Sequence, residues 1–158
     1  MTKSMLLMLL ILMCIGAHAQ DNAGEKPGQF DSSLAKQLGA DDYGMKQYVM
    51  AFLKTGANVE VDSAKRSQLQ MAHLKNIIRL ANEGKLILAG PFLDNQAVRG
   101  IFIFNVTSIE EAQMLTESDP AVKAGVLQME MRPWYGSAAL MELTKLHSRV
   151  QRKSIVDE

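Results

Sequence analysis

The sequence has a single cysteine, Cys14, and it lies within an apolar stretch near the N-terminus. That stretch runs from Met5 to Ile15 after the basic Lys3, and Ala17-His18-Ala19 has the small-x-small form that signal peptidase accepts. We therefore predict that residues 1–19 are a signal peptide, that the protein is periplasmic or secreted, and that no stable membrane anchor remains after cleavage. Without Cys14 the exported chain has no disulfide and no thiol chemistry, so packing alone must stabilise it.

An excess of charge of either sign is also missing, because 17 Lys and Arg side chains are balanced by 17 Asp and Glu. Such a chain has no general attraction for nucleic acid or anionic membrane, and we expect neither as a partner. His73 and His147 lie far apart without carboxylates at ligand spacing, so no metal site is predicted. No serine elbow, phosphate loop or dinucleotide fingerprint occurs, and we predict no cofactor.

Residues 20–43 are polar and typical of a linker, with one short helix inside it. Phe30, Leu34 and Leu38 recur at every fourth position, as on one side of a helix. Asp31 is a suitable N-cap and Gly39 a suitable C-terminal stop. The spacing therefore predicts a short helix that docks on the domain that follows.

Residues 44–136 show a regular alternation of strand and helix signals. The predicted elements are a strand over Lys46–Lys54, a helix from the cap Asp62 or Ser63 to Asn82 or Glu83, a strand over Lys85–Ala89, a strand over Val98–Val106, a helix opened by the capping box Ser108–Glu111, a helical turn opened by Asp119-Pro120, and a strand over Val126–Arg132. This βαββαβ order predicts an α+β, ferredoxin-like fold with a four-stranded antiparallel sheet.

The two strands that this topology places at the centre of the sheet are apolar on both faces. In the first, Tyr48, Met50 and Phe52 alternate with Val49, Ala51 and Leu53. Two helices can cover only one face of the sheet, so we expect a second copy of the chain to cover the other and predict a homodimer. Residues 137–158 follow as a predicted amphipathic helix that packs on the domain or clasps the dimer.

His73 is the most informative residue of the long predicted helix. On a wheel of 3.6 residues per turn it falls between Ile77 and Leu80, on the apolar side. The opposite, polar side comprises Lys75, Asn76, Arg79, Asn82 and Glu83. A titratable ring on a buried face needs a polar partner. The simplest interpretation is a core histidine, and the functional interpretation is an acid/base residue.

Asp119 is a candidate partner for His73. Because it precedes Pro120 at the start of a helical turn, its simplest role is that of an N-cap. The functional hypothesis is that Asp119 also faces His73 and fixes its tautomer, which would make the two a pair suited to proton transfer. The two roles can coexist, since one carboxylate oxygen can cap the helix while the other meets the imidazole.

Three further side chains are candidate ligand-binding residues. Arg66 and Gln70 continue the arc of His73 toward the start of the helix, where they indicate either the border of a pocket or an overhang into water. Arg99 precedes Gly100 at the start of the third strand, where it could reach an anion, although a solvated charge is the simpler interpretation.

A set of short motifs, in this order and spacing, resembles the YCII-related (YciI-like) family. The motifs are Ala72-His73-Leu74, Glu83-Gly84-Lys85-Leu86, Leu88-Ala89-Gly90-Pro91, the segment 119–126 that begins Asp119-Pro120, and Arg132-Pro133-Trp134. The resemblance covers about Met45 to Trp134 and implies a dimeric α+β barrel. It also implies an active site made of a His on the first helix of the domain and an Asp before proline, which correspond to His73 and Asp119.

The resemblance further implies a small-molecule enzyme with lyase- or isomerase-like acid–base chemistry. Our leading hypothesis is an exported, homodimeric, cofactor-independent protein that binds a small organic molecule between the sheet and the long helix, with His73 as general acid/base and Asp119 orienting it. One alternative is a non-catalytic ligand-binding or structural dimer module that keeps the pair for structure. Another is a monooxygenase of the wider dimeric-barrel group, which would bind haem.

Overall fold

A four-stranded antiparallel sheet forms the centre of the domain in the computed structural model, which describes residues 28–157. Its strands are β1 (Met45–Thr55), β2 (Leu86–Pro91), β3 (Val98–Phe104) and β4 (Leu127–Ser137). They lie in the order β2-β3-β1-β4, so β1 and β3 are central and β2 and β4 are edges. The predicted ferredoxin-like α+β arrangement is thereby confirmed, while the predicted signal peptide lies outside the described residues.

The helices are α1 (Ser32–Leu38), α2 (Ser63–Asn82), α3 (Ile109–Thr116), α4 (Pro120–Lys123) and α5 (Leu143–Val150). Side chains cap the N-termini of α2 and α3: Asp62 accepts from the Lys65 N–H of α2, and Ser108 accepts from the Glu111 N–H of α3. Asp31 caps α1, which ends at Gly39 with a φ of 70°. None of the helices within residues 28–157 has the length and apolar character needed to cross a membrane.

One face of the sheet carries the larger hydrophobic core, against which α2 and α3 pack. Because side chains alternate along a strand, β1 contributes Val49, Ala51 and Leu53 to this face. Phe102 and Phe104 of β3 lie on the same face. The remaining buried members of this core are Leu80, Leu86, Val106 and Ala112. Burial here fixes α2 over the sheet and so determines where His73 lies.

The C-terminal part of the chain departs from the prediction of one helix over residues 137–158. Strand β4 does not stop at Arg132 but pairs with β1 as far as Ser137, opposite Met45. Pro133 is tolerated because β4 is an edge strand, where a missing N–H need not break the ladder. A 3-10 helix (Ala138–Glu142) and the short α5 follow, and the helical structure ends at Val150.

This C-terminal segment covers part of the second face of the sheet. That face carries a smaller buried cluster of Tyr48, Ile87 and Ile103, against which Leu140 and Leu143 pack. A second copy was predicted because this face was expected to have no cover within the chain, whereas the C-terminal segment supplies some. Phe52 and Ile101, on the same face, stay half-buried. The homodimer therefore remains a prediction that the single chain does not test.

Candidate functional site

His73 lies on the buried side of α2 and is 6% exposed. Its ring is stacked on that of Phe102 of β3, with the ring centroids 5.8 Å apart and the planes 12° from parallel. Phe102 in turn meets Phe104 edge to face. An apolar floor of this kind restricts the orientation of the imidazole and excludes water from one side of it.

Asp119 contacts His73 from the connection between α3 and α4 and is 1% exposed. Its Oδ2 lies 2.5 Å from Nδ1 of His73. Its other oxygen, Oδ1, accepts a hydrogen bond of 2.8 Å from the Ala121 N–H and so caps α4. The α4 cap and the imidazole each engage one carboxylate oxygen, so Asp119 makes both contacts at the same time.

The charge state of Asp119 follows from its surroundings. Burial raises the pKa of this carboxyl, but the hydrogen bond and charge of His73 and the N–H groups of Ala121 and Val122 outweigh it. The net pKa lies below the ordinary value of 3.8, and Asp119 is ionised at neutral pH. An ionised carboxylate only accepts hydrogen bonds, so Nδ1 of His73 must carry the shared proton. In the neutral ring Nε2 is then unprotonated and able to act as a base.

Nε2 of His73 has no hydrogen-bond partner among the described residues. Across the same part of the chain, no buried side-chain nitrogen or oxygen is left without a partner. Nε2 is therefore not sealed in the core, and the small exposed fraction of His73 includes it. Nε2 thus has some contact with solvent, whereas Nδ1 is held by Asp119.

We expect the stabilising contribution of Asp119 to disappear in acid. Because the carboxyl pKa is lower in the folded protein than the ordinary 3.8, the unfolded state binds more protons in that range, and stability falls as the pH falls. The contribution is complete above about pH 4 and is lost as the pH falls through the folded-state pKa. Urea unfolding of the wild type and of Asp119→Asn at decreasing pH measures this, and the difference between the two proteins should shrink below about pH 4.

A second acid-sensitive group provides a check on that experiment. The hydrogen bonds from Lys54 and Arg132, together with their charges, lower the pKa of Glu130 to about 2. Glu130 is on β4 and accepts from Lys54 and Arg132, so it should titrate equally in both proteins and its effect should cancel in the difference. A difference that stays constant down to about pH 2 would contradict the assigned role of Asp119.

A polar network beside the pair joins α2 to the turn before α4. Nη2 of Arg79 donates to Oδ1 of Asn76 at 2.8 Å and to Oγ of Ser118 at 2.8 Å. The helical wheel placed Asn76 on the polar side, but the side chain is only 7% exposed. Asn76 is buried because α4 and the turn before it, which includes Ser118, pack against this side of α2. The sequence did offer one indication of this contact, namely that Asn76 lies one helical turn after His73.

The three candidate ligand-binding residues are separate from the pair. Arg66 is exposed and donates to the backbone carbonyls of Val59 and Val61, and Gln70 is exposed one turn before His73. Arg99 is exposed on β3 and donates to the side chain of Asn95. No hydrogen bond within the described chain connects any of them to His73 or Asp119, and the first half of α2 is mostly exposed.

A cavity of about 520 Å³ lies between the α3–α4 region and β4. Its lining includes Thr116 and Val122, on either side of Asp119 in the chain, with Met129 and Met131 of the edge strand. Neither His73 nor Asp119 lines it. Within residues 28–157, no three His, Cys, Asp or Glu side chains are grouped so that they could hold a metal ion.

The fold and this site define a ferredoxin-like α+β domain with a buried His–Asp pair bridging a long helix and a proline-led turn. Residues 47–135 match the YCII-related domain, which is more than half of the chain. The chain belongs to the YCII-related domain family. The motifs around His73 and Asp119 that suggested this family lie within the matched range.

A solved structure of 5-chloro-2-hydroxyhydroquinone dehydrochlorinase (TftG) from Burkholderia phenoliruptrix AC1100, in complex with 2,5-dihydroxybenzoquinone, is similar to the chain. The similarity covers 54% of this chain and 92% of that one, at 21% identity and a TM-score of 0.41. At this level the reaction of that protein does not carry over to this chain. None of the curated proteins matches the chain significantly.

Proposed function

We propose that this protein binds a small organic molecule and moves a proton on it, with His73 as the general acid/base and Asp119 as its orienting partner. The observation that carries the proposal is the 2.5 Å contact between Nδ1 of His73 and Oδ2 of Asp119, with Nε2 left open. A catalytic base needs an unprotonated nitrogen within reach of substrate and a stable geometry behind it. The contact with Asp119 supports the fixed geometry, and the solvent contact of Nε2 supports its access to substrate.

In the proposed reaction, Nε2 removes a proton from a carbon next to a carbonyl group, and the electron pair of the broken C–H bond passes to the carbonyl oxygen. The imidazolium that forms is stabilised by the Asp119 carboxylate. Returning the proton to a different carbon isomerises the substrate, whereas expelling a leaving group from the neighbouring carbon makes the enzyme a lyase. The substrate itself supplies the carbonyl that accepts the electrons.

The test is hydrogen–deuterium exchange into a panel of small carbonyl compounds in D₂O, followed by mass spectrometry. The wild type should label at least one compound, and His73→Asn should slow the labelling by about 100-fold or more. His147→Asn removes an exposed histidine of α5 and is the matched control, which should label at the wild-type rate. Labelling that His73→Asn leaves unchanged would contradict the proposal.

A second candidate is a binding module that retains the pair for structure alone. This candidate is favoured because both carboxylate oxygens of Asp119 are engaged within the fold, one with His73 and one with the Ala121 N–H. Native mass spectrometry of protein purified from its own host separates the two functions when combined with the exchange test. A retained small molecule with no labelling in any compound would support the binding module.

We further propose that the protein is exported after cleavage behind Ala19 and that it acts as a homodimer. The N-terminal pattern of residues 1–19 and the half-buried Phe52 and Ile101 support these two proposals. Terminal sequencing of the protein recovered from its host should begin at Gln20. Sedimentation equilibrium should give twice the mass of one chain, and a single-chain mass would overturn the dimer.

A further inference from the structure

We infer that Ser118, Asn76 and Arg79 are positioning residues that hold His73 and Asp119 at hydrogen-bonding distance. The inference goes beyond the proposed function, and only its catalytic consequence rests on that proposal. None of the three residues touches the pair through a hydrogen bond, so they would act through the backbone segments that carry it.

The network lies immediately beside the pair on both segments. Ser118 precedes Asp119 in the chain, and Asn76 follows His73 by three residues on α2. Oγ of Ser118 accepts from Nη2 of Arg79 at 2.8 Å and donates its one proton to the Leu115 carbonyl at 2.6 Å. Oδ1 of Asn76, 3.1 Å away, is the alternative acceptor of that proton. Together with the two bonds from Arg79, these contacts connect the C-terminal end of α3 to α2 next to His73.

The burial of Asn76 shows why this connection restricts movement. A side chain that is 7% exposed has little freedom, and its Oδ1 accepts from Nη2 of Arg79, which also donates to Oγ of Ser118. A shift of the α3–α4 turn away from α2 would break these bonds and the His73–Asp119 bond together. The turn is also held internally, because the Asp119 N–H donates to the Thr116 carbonyl.

The network acts by position rather than by its charge. Nη1 of Arg79 donates to both carboxylate oxygens of Glu83, at 2.7 and 3.0 Å, so the guanidinium is paired with an opposite charge one turn further along α2. The side chain of Arg79 is also about half exposed, which weakens any field it exerts on His73. The hydroxyl of Ser118 is consequently the most direct group to test.

The test is NMR of the His73 ring at neutral pH in the full exported chain, with Ser118→Ala, Ser118→Thr and Lys75→Ala. Loss of the hydroxyl should speed solvent exchange of the Nδ1 proton by about tenfold, which corresponds to one hydrogen bond from a charged donor, here Arg79. Ser118→Thr keeps a hydroxyl and should restore the wild-type exchange rate. Lys75→Ala changes an exposed residue of the same helix and should have no effect.

Wild-type exchange in Ser118→Ala would overturn the inference, and so would a Ser118→Thr protein that exchanges as fast as the alanine variant. A different result would contradict the proposed function, namely deuterium labelling of the carbonyl compounds that His73→Asn does not slow. Proton exchange at Nδ1 requires no substrate, so the two failures are distinguishable.

Discussion

Replacing Asp119 with alanine should lower the free energy of unfolding by about 3–5 kcal/mol, the usual effect of removing one partner of a buried pair. Asparagine at this position should cost about 1–3 kcal/mol. The carboxylate accepts from both the His73 ring and the Ala121 N–H, whereas an amide has a single oxygen. In the asparagine variant, therefore, either one of the two donors loses its acceptor or the His73 ring must move its proton to Nε2 and accept from the amide N–H. Urea unfolding at neutral pH measures both costs.

Asp62 provides the matched control for this prediction. It caps α2 by accepting from the Lys65 N–H, but it is exposed and has no imidazole partner. Asparagine is as good an N-cap as aspartate, so Asp62→Asn should leave stability nearly unchanged. If Asp119→Asn were equally harmless, Asp119 would be no more than a helix cap, and the buried pair would contribute nothing.

Replacing Phe102 with alanine should destabilise the protein by about 3–5 kcal/mol, which is typical of deleting a buried aromatic ring. Phe102 is 3% exposed, belongs to the larger core and carries the stacked ring of His73. The variant should therefore also free the imidazole to rotate. Thermal or urea unfolding measures the first effect, and broadening of the His73 ring signals in NMR measures the second.

Two further variants separate packing from stacking in that result. Phe102→Leu keeps most of the apolar volume and should cost less than about 1.5 kcal/mol, while it still removes the ring stacked on His73. Phe92→Ala removes an exposed ring and should change stability by less than about 0.5 kcal/mol. A Phe102→Ala protein as stable as Phe92→Ala would show that the core is not packed as described.

The order of strands and helices could be predicted from the sequence because local signals and burial agree there. Asp62 and Ser108 are strong N-caps, and the two central strands carry apolar residues on both faces. Such signals depend only on neighbouring residues and on the two-residue period of a strand. The fold was therefore accessible without knowledge of tertiary contacts.

The C-terminal region could not be predicted because its structure depends on a distant pairing partner. Pro133 is a local signal for the end of a strand, yet β1 is long enough to pair with β4 as far as Ser137. The extended strand takes up residues that would otherwise begin the amphipathic helix. After residue 137 the chain packs Leu140 and Leu143 against Tyr48 and Ile103. A 3-10 helix forms there instead of a regular α-helix, and α5 is therefore short.

The residues of the candidate site could be predicted only in part from the sequence, again because their contacts depend on distant segments. His73 stood out because a polar ring on an apolar stripe is conspicuous, and Asp119 because it precedes a proline. Their distance depends on how α4 docks on α2, which no local pattern contains. Asn76 and Ser118 were missed because each is an ordinary polar residue until the α3–α4 turn is placed against α2.

The tautomer of His73 is the most direct test of the central claim, that Asp119 holds the proton on Nδ1 and leaves Nε2 as the base. Nitrogen-15 NMR of the ring at neutral pH distinguishes a protonated from an unprotonated ring nitrogen. The account predicts a protonated Nδ1 and an unprotonated Nε2 in the neutral ring of His73. A neutral ring with its proton on Nε2 would contradict it.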